Sequence, residues 1–311
     1  MKKIIAEFDK KTWIFVVLVL LITNSLAIVY CMENCSDRLS GNFQKEYPLL
    51  SPERDLYNQR DLIVNIQPLR DQLSEIGRDQ DISIYFEFLS TGANIAVNKD
   101  QKIWPASLMK IPIAMAIMKK IEEGNLRLED ELAMTEKDQN KEFGELYRNS
   151  VGTRFTVEKL LDEMLINSDN SARDMLTRKL QTEDFDAVLN HLGIEYDYRN
   201  DEQISAKKYS IFWRSLFASS YLNPKNSEKL IEIMARSSAN QYSAGVIPSG
   251  IKFSHKIGVL YDVNSYADSG IVYVPSRPYI LTSMVKGKDQ AVAEKIMQDI
   301  SKRVYAYISA Y

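Results

Sequence analysis

The stretch PASLMKIPIAMAIMKK, residues 105–120, places a serine and a lysine three residues apart at the start of an apolar segment with helical periodicity. Residues three apart share one face of a helix, so Ser107 Oγ and Lys110 Nζ could come within hydrogen-bond distance. Pro112 marks the helix N-terminus, because proline is tolerated where backbone N–H groups have no partner. Apolar surroundings lower the pKa of a lysine, so Lys110 could be the base that activates Ser107. The alternative is a solvated lysine on a surface helix.

Two more motifs follow Ser107 in the chain. MLINSDNSARDML contains an S-D-N triplet at residues 168–170, after a helix that we predict to begin at Thr156. FSHKIGVL contains K-I-G at residues 256–258, on a predicted strand. The motifs S-x-x-K, S-D-N and K-x-G, in this order, are those of class A β-lactamases and penicillin-binding proteins. From about Leu62 to the C-terminus the chain therefore resembles the serine β-lactamase and D,D-peptidase superfamily, and class A most of all.

The resemblance implies a role for each residue of the first two motifs. Ser107 would be the nucleophile that opens an amide and becomes acylated, and Lys110 would be its base or proton relay. Ser168 would pass a proton to the leaving nitrogen. Asn170 would hold both the side-chain carbonyl of the substrate and the amine of Lys110. No metal and no cofactor is needed for this chemistry.

The third motif would complete the site. The resemblance implies that Lys256 places positive charge beside Ser168 and attracts a substrate carboxylate, and that Gly258 lets a substrate lie against the strand edge. The backbone N–H groups of Ser107 and Val259 would form the oxyanion hole. We expect the three motifs to converge in a cleft between two lobes, where pockets commonly form.

The loop after the helical part departs from the class A pattern. Class A enzymes carry a glutamate on a long loop there, which activates the water that releases the acyl group. Here only a short segment separates Gly193 from the helix that we predict near Ser205. Its two glutamates, Glu195 and Glu202, are not followed by the family's E-x-x-L-N context, and we interpret both as solvated loop carboxylates. Acylation should therefore survive while hydrolysis is slow or uses another route, as in a penicillin-binding protein.

The K-x-G motif departs from the family as well. Ile257 stands where the family usually has Thr or Ser, whose hydroxyl bonds the substrate carboxylate. From Gly258 to Ser276 there is also no Lys or Arg that could replace a cationic anchor for that carboxylate. This combination favours an unusual peptide or amide substrate over ordinary penicillins or a D-Ala-D-Ala terminus.

Histidine chemistry is a weaker interpretation of the sequence. A Ser–His–Asp triad would have to use His255, but no G-x-S-x-G elbow is present and His255 should point to the strand face opposite Lys256. His191 is predicted at a helix C-terminus, where the dipole favours it, so we interpret it as structural. With only these two histidines a multi-histidine metal cluster is implausible.

The 311 residues have a net charge of −3 and no arginine-rich run, which argues against nucleic acid as a partner. Helical periodicity is predicted from Leu62 to Ile76, followed by a β-hairpin, a helical stretch from Pro105 to about Leu192, three strands, and a last helix from Lys288 to Tyr311. The sheet must then be assembled from both ends of the chain. We predict an α+β fold, with an antiparallel sheet flanked by N- and C-terminal helices and an inserted all-helical lobe.

The N-terminal part has its own organisation. We predict a cytoplasmic basic segment at residues 1–12, a single transmembrane helix at 13–32, an extracytoplasmic linker at 33–61 and the hydrolase domain at 62–311. The span contains no charge and four lysines precede it, which orients the domain outward. The alternative is a signal peptide cleaved near Ala27, with secretion of the domain.

The predicted function is that of a membrane-anchored serine hydrolase whose substrate is a β-lactam or a peptidoglycan stem peptide. A D,D-carboxypeptidase of the penicillin-binding type and a non-hydrolysing β-lactam or cell-wall sensor are the alternatives. Cys31 and Cys35, at the outer end of the predicted anchor, could cross-link two chains, carry a lipid, or have no role. The oligomeric state does not follow from the sequence.

Overall fold

The structure is a computed structural model and describes residues 16, 19–21, 23–25, 43–51, 65–200 and 202–310. Most of the predicted anchor (13–32) and most of the predicted linker (33–61), with Cys31 and Cys35, lie outside these residues. The described residues within 13–32 are helical. Among the described residues, no helix combines the length and the apolar character that a membrane span requires.

The chain divides into two compact units, residues 1–48 with 52–55 and residues 49–51 with 56–311. In the first unit, a short helical turn at residues 43–46 is closed by a hydrogen bond from Tyr47 N to Phe43 O at 2.7 Å. The second unit contains all the motif residues, and the following description concerns it alone.

A five-stranded sheet with the strand order β2-β1-β9-β8-β7 forms the centre of this unit, and every neighbouring pair is antiparallel. The pairs β3–β6 and β4–β5 form two small additional sheets. The strands are β1 (Ile82–Phe88), β2 (Ala93–Val97), β3 (Lys102–Ile103), β4 (Glu131–Ala133), β5 (Arg154–Thr156), β6 (Ile204–Ser205), β7 (Phe253–Leu260), β8 (Ser265–Val272) and β9 (Tyr279–Lys286).

The helices flank this sheet. They are α1 (Gln67–Ile76), α2 (Lys110–Glu122), α3 (Val157–Ile166), α4 (Asn170–Thr177), α5 (Thr182–His191), α6 (Ala206–Phe217), α7 (Pro224–Ala235) and α8 (Gln290–Ser309). The helices α1 and α8 come from the two ends of the domain, and α2 to α7 lie in the stretch between β2 and β7. The predicted α+β fold with an inserted helical lobe is therefore confirmed.

Side-chain alternation in β1 explains why the sheet is covered on both faces. Ile82, Ile84, Phe86 and Phe88 belong to the apolar cluster that also contains side chains of α1 and α8. The intervening residues point the other way, where Glu87 accepts hydrogen bonds from the Arg214 guanidinium of α6. Residues two apart in a strand share a face, so a strand buried on both sides must place its polar residues against partners.

Three residues of the predicted linker, Leu49 to Ser51, pack against the folded domain. Leu49 N lies 3.1 Å from both carboxylate oxygens of Glu228, Tyr273 Oη donates to Leu49 O at 2.9 Å, and Ser51 N donates to Phe217 O at 2.7 Å. Burial raises the pKa of Glu228 to about 7, against the lowering effect of the hydrogen bond from Leu49. This segment is thus held as part of the domain surface.

Candidate active site

Ser107 lies in a 3₁₀ turn, Ala106–Met109, that runs directly into α2 at Lys110. The 3₁₀ helix has three residues per turn, so residues i and i+3 are eclipsed and Ser107 is brought next to Lys110. Ala106, immediately before the serine, has a φ of +48°, a left-handed conformation that strains a residue with a side chain. Backbone strain of this kind is frequent at functional sites, and it persists only where the surrounding structure holds the residue in place.

The Lys110 side chain is 1% exposed and contacts both of the first two motifs. Its Nζ lies 3.1 Å from Ser107 Oγ, 2.5 Å from Ser168 O, 3.2 Å from Ser168 Oγ and 2.7 Å from Asn170 Oδ1. One amine therefore connects the turn before α2 with the turn before α4. The structure brings together four of the residues that the sequence analysis selected, and it rules out a solvated lysine.

The protonation state of Lys110 follows from these surroundings. Burial first, and then the nearby charge of Lys256, lower the pKa of Lys110 to about 6. A neutral amine has two N–H donors and one lone pair. Its two shortest contacts are with oxygens that can only accept, Ser168 O and Asn170 Oδ1, so these take the two N–H groups. The lone pair is left for the hydroxyl of Ser107 or Ser168, which is the arrangement of a general base.

The S-D-N turn is held by the middle residue of its motif. Ser168 has a φ of +57°, again left-handed. The buried Asp169 side chain caps α4 by accepting from Ala172 N at 2.8 Å, and its other oxygen accepts from Glu145 N and Leu146 N at 2.7 and 2.9 Å. Side-chain caps of this kind satisfy backbone donors that the first helical turn leaves free. Asp169 thereby fixes Ser168 and also places the preceding loop.

That loop brings a carboxylate to the site. Asn170 Nδ2 lies 3.3 Å from Glu142 Oε2 and 3.4 Å from Asn140 Oδ1, while Asn170 Oδ1 accepts from Lys110. Because both ends of the amide have partners of the correct polarity, its orientation is defined. Glu142 was not predicted from the sequence, because it lies in a loop 28 residues before Asn170 and belongs to no motif.

The third motif lies on β7, the strand at one edge of the sheet. Lys256 is 1% exposed, and burial lowers its pKa to about 7 against the opposing charge of Asp268. Ile257 points to the other face and packs against the apolar cluster there. Val259, the predicted second oxyanion donor, lines the cleft beside Ser107.

Gly258 has a structural use that the sequence did not suggest. A Cβ at this position would lie 2.0 Å from Pro105 O, so the turn that carries Ser107 packs directly against the backbone of β7. Pro105 O also accepts the hydrogen bond from Leu108 N at 3.0 Å that closes the turn. The space beside Gly258 is therefore occupied by the chain itself.

Three motif residues, Ser107, Lys110 and Asn170, line a cleft of about 550 Å³, whereas Ser168, Lys256 and Gly258 are not among its lining residues. One face of α4 lines it with Asn170, Arg173 and Thr177, which follow at helical spacing. The other walls of the cleft are largely apolar and aromatic and include Trp104, Met109, Ile113, Phe143, Leu180, Phe185, Tyr196, Tyr198 and Leu260. Sequence reasoning missed Arg173 and the aromatic walls, although the position of Arg173, three residues after Asn170, was a usable signal.

The loop after α5 contributes Tyr196, Tyr198 and Glu202 to the cleft. The side chain of Glu202 is exposed, and its carbonyl accepts from Tyr196 Oη at 2.8 Å. Glu195 does not line this cleft. Glu202 is therefore the loop glutamate that the structure brings to the site.

Neither histidine joins the cleft. His255 Nδ1 lies 2.8 Å from Asp268 Oδ1 and its ring stacks on Phe253 at 4.3 Å, on the face opposite Gly258, as predicted. His191 ends α5 and its Nε2 lies 2.9 Å from Ser220 O. Both have structural partners.

Comparison with known proteins assigns the chain to a family. The profile of the beta-lactamase enzyme family matches residues 68–308. The chain belongs to this family. Beta-lactamase VEB-1 of Pseudomonas aeruginosa is 25% identical in an alignment of 240 residues that covers 68% of this chain and 80% of that relative.

Two solved structures share the fold of this chain. A mutant of PBP-A, solved as an acyl-enzyme complex with penicillin G, superposes with a TM-score of 0.71 at 23% identity, over 79% of this chain and 98% of that chain. A beta-lactamase from Sphaerobacter thermophilus gives a TM-score of 0.72 at 16% identity, over 80% and 99%. At these identities the likeness concerns the fold.

The contact between Gly258 and Pro105 can be tested by adding one methyl group. Gly258→Ala should displace the turn that carries Ser107 and lower the rate of acylation by about tenfold to a hundredfold, because small misplacements of reacting groups are costly. Acylation by a fluorescent penicillin measures this rate. Gly250→Ala is the matched control, since its Cβ would have no atom within 4 Å. Normal acylation in a folded Gly258→Ala protein would contradict the prediction.

Proposed function

We propose that this chain is a membrane-anchored, extracytoplasmic serine acyl-enzyme hydrolase that acts on β-lactams or peptidoglycan-like amides. The family relationship supports hydrolase activity on amide bonds. The observation that carries the proposal is the position of Lys110 Nζ, buried and within 3.2 Å of both Ser107 Oγ and Ser168 Oγ. A surface lysine would have no reason to be placed there, because burial costs it the solvation of its charge.

Acylation would proceed in three proton transfers. The lone pair of neutral Lys110 takes the proton of Ser107 Oγ as that oxygen attacks the amide carbon. The backbone N–H groups of Ser107 and Val259 stabilise the negative charge on the carbonyl oxygen. As the C–N bond breaks, Ser168 donates its hydroxyl proton to the leaving nitrogen and regains one from the Lys110 ammonium. The product is an ester of Ser107 with all groups back in their starting protonation states.

Substrate binding would use the two remaining motif residues. Asn170 Nδ2 would donate to the side-chain carbonyl of the substrate in place of its 3.4 Å contact with Asn140 Oδ1, while Asn170 Oδ1 stays on Lys110. The buried Lys256 contributes positive charge near Lys110 and Ser168, where a substrate carboxylate would be attracted. No metal or cofactor takes part in the proposed steps.

Slow deacylation is the second half of the proposal. The short loop after α5 lacks the E-x-x-L-N context, and its cleft-lining glutamate, Glu202, is exposed rather than held by hydrogen bonds to its carboxylate. A water-activating base needs a fixed position within hydrogen-bond reach of the water. The long-lived adduct would suit either a penicillin-binding D,D-carboxypeptidase or a sensor.

The membrane anchor remains a proposal that rests on the sequence. Residues 13–32 contain no charge, and Lys2, Lys3, Lys10 and Lys11 precede them. The described apolar side chains within this range, among them Leu20 and Leu21, are exposed by 55% and 59%.

A labelling experiment tests the nucleophile. A fluorescent penicillin should label the protein, and Ser107→Ala should abolish the label, because the ester cannot form without the hydroxyl. Ser150→Ala, which alters an exposed loop serine, should label normally. Equal labelling of the wild type and Ser107→Ala would remove the proposal.

A pH profile and the substitution Lys110→Arg test the role of Lys110 as the base. Because the pKa of Lys110 is about 6, the acylation rate should rise as the pH increases through 6, where the amine becomes neutral. Above pH 7 the rate should fall again, since the pKa of Lys256 is about 7 and its attraction for the substrate carboxylate is lost. Lys110→Arg should lower the rate by about a hundredfold or more, since a guanidinium keeps its proton. Lys119→Arg, on the same helix but 36% exposed, should leave it unchanged. A well-folded Lys110→Arg protein with near-normal acylation would disprove the assignment.

Intact-mass measurements over time test deacylation. We expect the adduct of Ser107 to persist after excess penicillin is removed, and Glu202→Gln to lengthen its lifetime no further. Rapid return of the wild type to its unmodified mass, with a persistent adduct in Glu202→Gln, would instead identify Glu202 as the base for water. Turnover of a D,D-dipeptide substrate in the same series would favour a carboxypeptidase over a sensor.

A further inference from the structure

Beyond Asn170, the side of α4 that faces the cleft carries a positively charged residue, Arg173. Asn170, Arg173 and Thr177 line the same cleft, and Arg173 lies three residues, or about 4.5 Å along the helix axis, beyond the motif amide. Among the described residues that line the cleft, the basic side chains are those of Lys110 and Arg173. Since Lys110 is occupied by Ser107, Ser168 and Asn170, Arg173 is the cation that can meet a ligand.

The guanidinium of Arg173 has unused donors. Its Nε and Nη2 both contact Asp174 Oδ1 at 2.7 Å, so one carboxylate oxygen receives both contacts. Nη1 has no protein partner among the described residues, and a third of the side chain is exposed. A guanidinium carries five N–H donors, and its preferred ligand is a carboxylate bound through two of them.

Arg173 is paired with Asp174 through a single carboxylate oxygen, and its charge still lowers the pKa of Lys110. Two carboxylates also line the cleft, but Glu142 contacts the Asn170 amide, and Glu202 belongs to the loop that carries Tyr196 and Tyr198.

We infer that Arg173 binds a carboxylate on the acyl side of the substrate, beyond the carbonyl that Asn170 holds. The inference rests on the proposed function, in which Asn170 faces the acyl side chain and Ser168 faces the leaving nitrogen. The substrate class is an acyl donor with an anionic side chain and an apolar body that reaches Phe185 and Tyr198.

A matched pair of penicillins isolates this contact. One carries a phenylacetyl side chain, and the other carries the same side chain with a carboxylate on its α-carbon. The readout is the ratio of their second-order rate constants for acylation of Ser107, because the shared core carboxylate and any change in the pKa of Lys110 cancel in the ratio. Intact mass and a thermal melt on each preparation establish the adduct and the folding.

Arg173→Gln should lower the ratio of the carboxylated to the neutral penicillin by about tenfold or more, the usual scale for a hydrogen bond to a charged group. Arg173→Lys should retain part of the preference for the carboxylated penicillin. Arg173→Glu should instead favour a third penicillin, which carries an α-amino group in place of the α-carboxylate. Arg303→Gln is the matched control: its side chain is 34% exposed against 33% for Arg173, and it also pairs with one aspartate, but it lies on α8.

The outcomes separate this inference from the proposed function. An unchanged ratio in Arg173→Gln, with Ser107 labelled by both penicillins, would overturn the role of Arg173 and leave the nucleophile intact. The same loss of ratio in Arg303→Gln would also overturn it. Failure of every penicillin to acylate the wild-type protein would overturn both.

Discussion

The burial of one amine is the constraint on which the site depends. Lys110 is surrounded by protein, yet it lies at the start of a helix whose next residues are almost all apolar. Removing an ammonium from water is costly, so the folded state favours the neutral form and directs its two N–H groups to acceptors that cannot donate. The catalytic potential of the lysine and its cost to stability therefore have the same origin. Lys256 adds to both, since a second buried cation disfavours the first.

The two turns that meet at Lys110 are held by hydrogen bonds and by a close contact between backbone segments. Ala106 and Ser168 both have positive φ angles, and each lies beside or within a catalytic motif. The first turn is fixed by the close contact of Pro105 O with Gly258 and by the hydrogen bond from Tyr209 Oη to Leu108 O at 2.7 Å. The second is fixed by Asp169, which caps α4 and binds the loop before it. Strained backbone is stable here because several independent contacts determine it.

The sheet provides the frame for these contacts. β7 is an edge strand, and the turn of Ser107 packs on the sheet face where Gly258 has no side chain. Alternation along β7 then separates the tasks of successive residues: His255 and Ile257 face the apolar cluster, whereas Lys256 and Gly258 face the site. Ile257 is accordingly a partly buried residue that packs against this cluster, and its apolar character follows from the face on which it lies. The cleft is finished by α4, α5 and the loop after α5, which supply its aromatic walls and Arg173.

The sequence alone determined the family, the α+β class and the residues around Lys110, because these depend on local spacing: three residues between Ser107 and Lys110, a cap before α4, and alternation in β1 and β7. It also placed His255 on the opposite face from Lys256. The use of Gly258, the approach of Glu142, the contact of Leu49 with Glu228 and the position of Arg173 in the cleft were decided only by the tertiary structure. Each joins segments that are far apart in the chain, or depends on which face of an element meets its neighbour. Periodicity and motif spacing describe one element at a time, so they carry no information on such contacts.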